Sequence, residues 1–207
     1  MQIAIDGPAG SGKSTIAKRL AERLNIEYID TGAMYRAITL KLKNVEKEDY
    51  KKVLDKTNID FKNNKIFLDG VDVSNFIRDP EISKLTSDIS KLPEVREKLV
   101  IIQRNIAKNK SVVMEGRDIS TVVLPEADYK FYLSAGEEIR AKRRTLQLLE
   151  RGLPADYEKI LKEIKDRDKN DINRKNSPLK VAENAVIIDS SKLNIDDTVS
   201  LMLSYIR

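Results

Sequence analysis

Short apolar runs alternate with stretches of helical periodicity through the first quarter of the chain. Residues 2–6 read as a buried strand, a glycine-rich segment follows, and apolar residues at helical spacing predict a helix from Ser14 to Leu24. A short strand at 27–30 and a helix from Met34 to Leu42 come next. Because strand, loop and helix recur in this order, the pattern predicts a parallel α/β sheet.

The pattern changes near residue 58. Short extended pieces lie at 59–61, 65–68 and 71–73, and they are separated by the turn pairs Asn63-Asn64 and Asp69-Gly70. Strands this close in sequence pair with their neighbours through tight turns. We therefore predict a small antiparallel unit inserted into the α/β pattern.

The rest of the chain returns to helices and strands in alternation. The predicted helices are 80–91, 93–109, 136–151, 157–173 and 196–205, and the predicted strands are 111–115, 129–133 and 185–189. A proline stands near the start of each of the first two helices, where its missing N–H is not needed. The third and fourth helices are separated by Gly152-Leu153-Pro154.

The composition removes several kinds of chemistry. The 207 residues include no His, no Cys and no Trp, which excludes Cys/His zinc sites, Ser-His-Asp or Cys-His nucleophiles, and haem or iron–sulfur ligation. Catalysis is left to carboxylates, Lys, Arg, hydroxyls, backbone amides or an oxygen-ligated metal. No apolar run approaches the ~20 residues of a membrane span, and the first residues carry no secretory signal. We expect a cytoplasmic monomer without a membrane partner.

The net charge of +5 is concentrated in one part of the chain. Residues 140–175 contain 12 Lys or Arg and 7 Asp or Glu, so this stretch carries the whole excess and the remainder is neutral. A solvated helical face is one interpretation of the stretch. The other is a cluster that meets an anion, such as a nucleotide, a nucleic acid or an anionic lipid surface.

A glycine-rich segment after the first strand matches the phosphate-loop pattern G-x-x-x-x-G-K-[ST]. Glycines let several backbone N–H groups point at one phosphate, and the N-terminus of the following helix favours an anion. Lys13 can reach the β- and γ-phosphates, and the Ser14 hydroxyl can ligate Mg²⁺. The predicted ATP-binding residues are Gly7, Pro8, Ala9, Gly10, Ser11, Gly12, Lys13, Ser14 and Thr15.

A phosphate loop alone is shared by switch GTPases, ATPase motors and small-molecule kinases. A GTPase needs a base-reading N-K-x-D run, which the segments near Asn170 and Asn173 do not supply. A motor needs an apolar strand that ends in an acidic residue, and Asp6 and Asp30 are short-strand candidates for it. The sequence therefore disfavours a GTPase clearly and a motor more weakly.

Three other segments combine arginines with hydroxyl or carboxylate partners. In the first, Thr31 and Arg36 lie at a strand-to-helix turn and can hold a phosphate, although Thr31 can instead be a helix N-cap. In the second, Arg117 and Asp118 follow a buried strand, where ligands bind in open α/β sheets. Arg117 suits a phosphate and Asp118 can accept from an exocyclic amine such as cytosine N4. A surface turn holding an Arg–Asp pair is the alternative.

The third segment holds Arg167, Asp171 and Arg174. Spacings of four and three residues place all three on one face of the predicted helix. Two cations beside a carboxylate can bracket a sugar phosphate. A salt-bridge ladder along an exposed helix is the alternative, and taken alone it is the simpler interpretation.

Several separated segments resemble bacterial cytidylate kinases, which are nucleoside monophosphate kinases. In order they are GPAGSGKST, DTGAMYR, IRDPEIS, EGRDISTVV and RDKNDINR, so the resemblance covers essentially the whole chain. It implies ATP-dependent phosphorylation of CMP and dCMP to CDP and dCDP in pyrimidine nucleotide metabolism, with Mg²⁺. It also implies a three-layer P-loop kinase fold with a five-stranded parallel core sheet, an inserted monophosphate-binding subdomain and a mobile helical lid.

The resemblance assigns expected roles by position. The groups expected around the CMP phosphate are Thr31, Arg36, Arg117 and Arg174. Those expected at the cytosine are Ser87, Arg96 and Asp118, and those at the ribose hydroxyls are Arg167 and Asp171. The expected catalytic residues are Lys13, Arg36, Arg117 and Arg174, with Ser14 on the metal.

The same resemblance divides the chain into regions. The P-loop core is expected at 1–35, 100–135 and 176–207, the monophosphate-binding region with its antiparallel insert at 36–99, and the lid with the following helix at 136–175. The lid proper would run from about Arg140 to Gly152 and bring cations over the γ-phosphate; the candidates are Arg140, Arg143 and Arg144.

Two positions depart from the family pattern. Thr31 stands where many relatives carry Ser, so the hydroxyl is kept. Ser120 stands where Gly is usual, so the local turn differs slightly if the backbone needs close approach there.

Two other classes of function stay open at this point. One is a P-loop kinase for another acceptor, such as UMP, AMP or a non-nucleotide alcohol. The other is a nucleic-acid binder that uses residues 140–175, although this stretch holds Tyr157 as its one aromatic residue and so suits base stacking poorly. We expect no nucleic-acid partner.

Overall fold

The computed structural model describes residues 1–62 and 65–207, so the turn predicted at Asn63-Asn64 lies outside the described residues. Its strands are β1 Gln2–Asp6, β2 Glu27–Asp30, β3 Ile59–Lys62, β4 Lys65–Leu68, β5 Val71–Asp72, β6 Val112–Gly116, β7 Tyr129–Ser134 and β8 Val186–Asp189. Its helices are α1 Lys13–Leu24, α2 Thr31–Leu42, α3 Tyr50–Asp55, α4 Pro80–Ile89, α5 Pro93–Ala107, α6 Glu137–Glu150, α7 Tyr157–Asn173 and α8 Ile195–Tyr205.

The five-stranded parallel sheet has the order β2-β6-β1-β7-β8. An apolar cluster covers each face, as a parallel sheet requires. One cluster joins Ile29 and Met114 to residues of α2 and α5, and the other joins Ile3 and Phe131 to residues of α1 and α8. This three-layer arrangement confirms the predicted α/β class.

Strands β3, β4 and β5 form a second, antiparallel sheet between α3 and α4 in the chain, which the short extended pieces predict. Ile59, Ile66 and Leu68 from this sheet are buried in the same cluster as α2 and α5. The small sheet is therefore packed onto the core rather than tethered to it by a linker.

Two local features were not predicted. Helix α3 lies in a stretch where no helix is indicated by the pattern, and Tyr50 and Leu54 bury its inner face. After β6, a single wide turn spans Ile119–Val123, in which the N–H of Leu124 donates to the carbonyl of Ile119 over 2.7 Å. Such i→i+5 turns are rare and are frequently found at functional sites.

Candidate active site

The carboxyl ends of three neighbouring strands place their last residues along one edge of the parallel sheet. β1 ends at Asp6, which is in register with Gly116 of β6, and Asp30 of β2 is in register with Glu115. Ligands of open α/β sheets bind at this edge. The phosphate loop, the start of α2 and the Arg117-Asp118 segment therefore face one cleft.

The phosphate loop has the backbone that its glycines predict. Gly7, Gly10 and Gly12 have φ values of 152°, 74° and 91°. A Cβ at Gly7 would lie 2.1 Å from the carbonyl oxygen of Leu133, so a side chain is excluded there. Gly12, the N-cap residue before α1, leaves the helix without a side-chain cap among the described residues, so the first N–H groups of the helix are available to an anion.

Lys13 is buried beneath the loop. Its Nζ donates to the carbonyl of Pro8 over 2.7 Å and to Ser11 Oγ over 3.4 Å. Burial, with a further contribution from the Arg117 cation, lowers the pKa of Lys13 to about 7. The position suits an ammonium group that exchanges a loop carbonyl for a phosphate oxygen.

Glu115 is a site residue for which the sequence argument gave no role. Its Oε1 accepts from the Ser14 hydroxyl over 2.6 Å and from the Tyr28 hydroxyl over 3.2 Å. Burial, with a contribution from Asp30, raises its pKa. The available signal was its place as the acid at the end of a buried strand beside the loop strand, where P-loop proteins hold their metal.

These oxygens fit Mg²⁺. A hydroxyl and a carboxylate are hard oxygen donors, and Mg²⁺ takes few protein ligands together with waters and phosphate oxygens. The described residues contain no group of three His, Cys, Asp or Glu side chains that could cage a metal. Ser14 and Glu115 are thus suited to share a metal with a nucleotide, rather than to hold one by themselves.

The Thr31 hydroxyl does not cap the helix. It donates to the carbonyl of Glu115 over 2.7 Å, while the cap of α2 is Asp30, which accepts from the N–H of Ala33 over 2.8 Å. The N-cap interpretation of Thr31 is therefore wrong. Arg36 contacts the same carboxylate, with Nη2 lying 3.1 Å from Asp30 Oδ2.

Arg117 and α7 meet across the cleft. Arg117 Nε donates to Asp171 Oδ2 over 2.8 Å. Burial opposes the charge on Asp171, but the cations Arg117 and Arg167 outweigh it and lower the pKa of Asp171. Arg167 keeps an exposed surface overall, but the protein around its guanidinium desolvates the charge, and this, together with the Arg117 cation, lowers its pKa to about 10.

Asp118 lies between two arginines. Arg96 of α5 makes a buried ion pair with one oxygen, and Arg174 lies 3.4 Å from the other. The Arg96 guanidinium is 5.5 Å from the centre of the Tyr35 ring, within the range of a cation–π contact. Arg96 Nε is buried without a hydrogen-bond partner in the described chain, as expected of a group that binds a ligand.

Arg174 is not on the helix face with Arg167 and Asp171. α7 ends at Asn173, and Arg174 has an extended backbone with ψ 139°, its Nε donating to the carbonyl of Ser177 over 2.5 Å. The prediction that the three share one face is wrong for Arg174. Leaving the helix lets the side chain turn toward Asp118.

Ser87 is half-buried on α4, and no described side-chain contact joins it to the cluster. Its connection is indirect, since Arg96 Nη1 donates to the carbonyl of Ser90, one turn further on, over 3.2 Å. Its predicted place beside a base stays a prediction.

The lid candidates differ from one another. Arg140 is buried, pairs with Asp168 at 2.6 Å and donates to the carbonyl of Ala9 over 2.8 Å. Arg143 donates to the carbonyl of Ser190 over 2.6 Å. Arg144 is exposed and donates to the side chain of Gln147 over 2.6 Å. Of the three, Arg144 has the guanidinium that is not held by a backbone carbonyl in the described contacts.

No helix among residues 1–62 and 65–207 combines the length and apolarity that crossing a membrane would need.

The parallel sheet, the phosphate loop and the arginine-lined cleft define a P-loop kinase. Similar solved structures include shikimate kinase from Bacteroides thetaiotaomicron, with a TM-score of 0.52, 13% identity, and coverage of 99% of this chain and 97% of that chain. Shikimate kinase from Acinetobacter baumannii in complex with shikimate has a TM-score of 0.52, 16% identity, and coverage of 99% and 92%. Identities this low show the fold alone.

The family is shown by sequence. The family model for cytidylate kinase matches residues 3–207. Cytidylate kinase of Caldicellulosiruptor saccharolyticus is 52% identical over 212 residues, which cover 98% of this chain and 94% of the relative. Cytidylate kinase of Clostridium botulinum (strain Hall) is 48% identical, covering 100% and 98%. The chain belongs to the cytidylate kinase family.

Proposed function

We propose that the residues of the cleft divide one reaction between a donor half and an acceptor half. Membership of the cytidylate kinase family assigns that reaction, the ATP-dependent phosphorylation of CMP and dCMP to CDP and dCDP. The observation that carries the assignment of roles is Asp118, a buried carboxylate held between Arg96 and Arg174 at the sheet edge that also bears the phosphate loop.

The donor half is the phosphate loop. The backbone N–H groups of Gly7 and of residues 9–15, which include the start of α1, bind the phosphates of ATP, and Lys13 moves from the Pro8 carbonyl to a phosphate oxygen. Bound phosphate favours the charged form of Lys13, whose pKa burial lowers in the free protein.

Ser14 and Glu115 hold Mg²⁺ in this proposal, Ser14 through its hydroxyl and Glu115 directly or through water. Held there, the metal would supply positive charge that offsets the negative charge of the phosphates during transfer. The 2.6 Å contact between the two side chains supports the pairing, because one ion can lie against both oxygens only if they are adjacent.

The acceptor half holds the phosphate of CMP with cations from three separate segments. Arg36, Arg117 and Arg174 surround the edge of the cleft, and Thr31 offers a hydroxyl beside them. Guanidinium groups suit a phosphate because each presents two N–H groups in one plane. They orient the acceptor oxygen for in-line attack, which is most of what phosphoryl transfer requires.

Asp118 reads the base in this proposal. A carboxylate accepts a hydrogen bond from the exocyclic amine of cytosine. Uracil has a carbonyl oxygen at that position, and this oxygen repels the carboxylate. Arg96, which lies over the Tyr35 ring, and Ser87 complete the base site. Arg167 and Asp171 meet the ribose, and the Arg117 bond to Asp171 gives that carboxylate a second task, which is to orient a phosphate-binding arginine.

Arg144 is our choice for the lid cation that meets the γ-phosphate, because Arg140 and Arg143 are committed to backbone carbonyls. A lid that excludes water would protect ATP from hydrolysis. The division into core, monophosphate-binding region and lid is part of the same proposal, while a cytoplasmic location and a monomeric state stay predictions from the sequence.

An acceptor panel tests the proposal. An assay of ADP release with CMP, dCMP, UMP, AMP and GMP should give the highest kcat/KM for CMP and dCMP. A preference for AMP, or turnover with a non-nucleotide alcohol alone, would contradict the role of Asp118. Retention on DNA or RNA with a steep salt dependence would instead favour the nucleic-acid binder.

A further inference from the structure

One fully buried carboxylate at the sheet edge takes no part in the steps above. Asp6 ends β1 and has no exposed surface. It accepts three hydrogen bonds: from the N–H of Ile119 over 2.8 Å, from the N–H of Ser120 over 2.8 Å, and from the Ser120 hydroxyl. A buried carboxylate is costly unless it is hydrogen-bonded, so these donors stabilise it where it lies.

The donors come from the residues that follow the acceptor arginine and the base-reading carboxylate. Ile119 and Ser120 begin the wide turn after Asp118, and Arg117 and Asp118 fill the two positions between that turn and β6. The arm of Arg117 and Asp118 is therefore fixed at one end by the β6 ladder and at the other end by Asp6.

Asp6 is also bonded covalently to the donor half. It precedes Gly7, the first residue of the phosphate loop, where an added Cβ would lie 2.1 Å from the carbonyl oxygen of Leu133. One side chain thus spans from the start of the donor loop to the end of the acceptor arm.

Ser120 adds a bond that glycine at this position could not make. Its φ is not in the left-handed region, so the backbone accepts a side chain here, and the hydroxyl lies against Asp6. Burial raises the pKa of Asp6, and the bonds from Ser120 and Ile119 oppose that rise. The serine therefore contributes to keeping the carboxylate in its accepting form.

We propose that Asp6 and Ser120 are a positioning pair that sets the distance between the phosphate loop and the Arg117-Asp118 arm. The pair touches neither substrate and acts through the backbone of Ile119 and Ser120. Small errors in the placement of reacting groups lower the reaction rate strongly, so a pair that fixes this distance should raise the rate. The inference rests on the proposed roles of Arg117 and Asp118.

Asp6→Asn, Ser120→Ala and the double variant form the test. In Asp6→Asn the side-chain NH₂ faces a backbone N–H, and two donors cannot hydrogen-bond, so we expect kcat/KM for CMP to fall about twentyfold or more. Ser120→Ala removes one hydrogen bond, and we expect a fall of about fivefold. KM for ATP should stay within about twofold in each. The double variant should be about as active as Asp6→Asn, because the serine acts through the aspartate.

Thr198→Ala is the matched control, since Thr198 is similarly buried and its hydroxyl donates to the carbonyl of Asn194, the N-cap of α8. It should lower the Tm and leave the kinetic constants unchanged. The proposal is overturned if the Asp6 and Ser120 variants also lower only the Tm, or if they raise KM for ATP and KM for CMP equally. It is also overturned if the loss of kcat/KM in the double variant is the product of the losses in the two single variants. If Asp6→Asn does not fold, Ser120→Ala and Ser120→Gly still decide, through the split between the two KM values.

Asp118→Asn separates this inference from the function on which it rests. A loss of CMP use in Asp118→Asn without any loss in the Asp6 and Ser120 variants overturns the positioning pair alone. No loss of CMP use in Asp118→Asn overturns the role of Asp118 and the positioning pair with it.

Discussion

The donor half and the acceptor half of the cleft are built in different ways. The phosphate loop is nine consecutive residues, held by glycine backbone geometry and by the bond of Lys13 to its own loop. The acceptor half draws Arg36, Arg96, Arg117 and Arg174 from four separate segments, and ion pairs to Asp30, Asp118 and Asp171 hold them together.

This difference determines which substitutions damage each half of the cleft most. A local loop depends on one or two residues that meet phosphate directly. A site assembled from distant segments depends on the carboxylates that keep several cations in place, because each arginine would otherwise repel the next. Arg140 touches both halves, through the Ala9 carbonyl and through Asp168 on α7.

Loss of the donor lysine should give the largest effect. Lys13→Ala removes the cation that meets the β- and γ-phosphates, so we expect kcat to fall by about two orders of magnitude or more, with the fold retained. Steady-state ADP release and circular dichroism measure the two quantities. Lys18→Ala, on the exposed side of α1, is the control and should stay active. Near wild-type turnover in Lys13→Ala would contradict the donor role.

Substitution of Arg140, which contacts both halves of the cleft, should mainly lower the free energy of unfolding. Arg140→Ala leaves Asp168 buried without its partner, which costs about 3–5 kcal/mol in comparable cases. Urea unfolding measures the loss. Arg144→Ala should change stability by about 0.5 kcal/mol or less and should lower kcat. A small stability loss in Arg140→Ala, with a large loss of kcat, would exchange the roles of the two arginines.

A pH titration of ATP binding tests the donor half. Burial lowers the pKa of Lys13 to about 7 in the free protein, and only the charged form attracts phosphate. As the pH rises from 7 to 9 the free protein loses this proton, so affinity for ATP should fall, approaching about tenfold per pH unit.

The affinity of Lys13→Arg for ATP is the comparison for that titration, since arginine stays charged throughout. The affinity of Lys13→Arg for ATP should be nearly constant between pH 7 and pH 9. Equal slopes for the two proteins would show that another group titrates.

The smallest effect is expected at the rim of the acceptor half. Arg167 keeps an exposed surface and makes no ion pair within 4 Å among the described residues, so Arg167→Ala should raise KM for CMP only about three- to fivefold. Lys165→Ala, on the exposed side of α7, should leave KM unchanged. A hundredfold rise in Arg167→Ala would place this arginine at the phosphate rather than at the ribose.

Contiguous patterns predicted most of the fold and the backbone of the phosphate loop. Glycine spacing fixes the loop locally, and alternation of strands and helices fixes the parallel sheet, because both depend on residues close in sequence. Helix α3 was missed because its six residues are too few to show a period, although Tyr50 and Leu54 are buried.

Contacts between distant residues could not be predicted in the same way. The Ser120–Asp6 bond joins residues 114 apart, and the Thr31 bond to the Glu115 carbonyl joins residues 84 apart. Both depend on strand register, which a single sequence does not display. The burial of Arg140 has the same origin: its partners lie in the phosphate loop and on α7, so its helix alone reads as an exposed basic face.

The central claim is that the acceptor half reads cytosine through Asp118. The most direct measurement is the ratio of kcat/KM for CMP to that for UMP, in the wild-type protein and in Asp118→Asn, with Glu126→Gln as an exposed control. Asn can donate to the carbonyl of uracil, so we expect the ratio to fall at least about tenfold in Asp118→Asn, while KM for ATP stays within about twofold. A ratio that is the same in both proteins would contradict the claim.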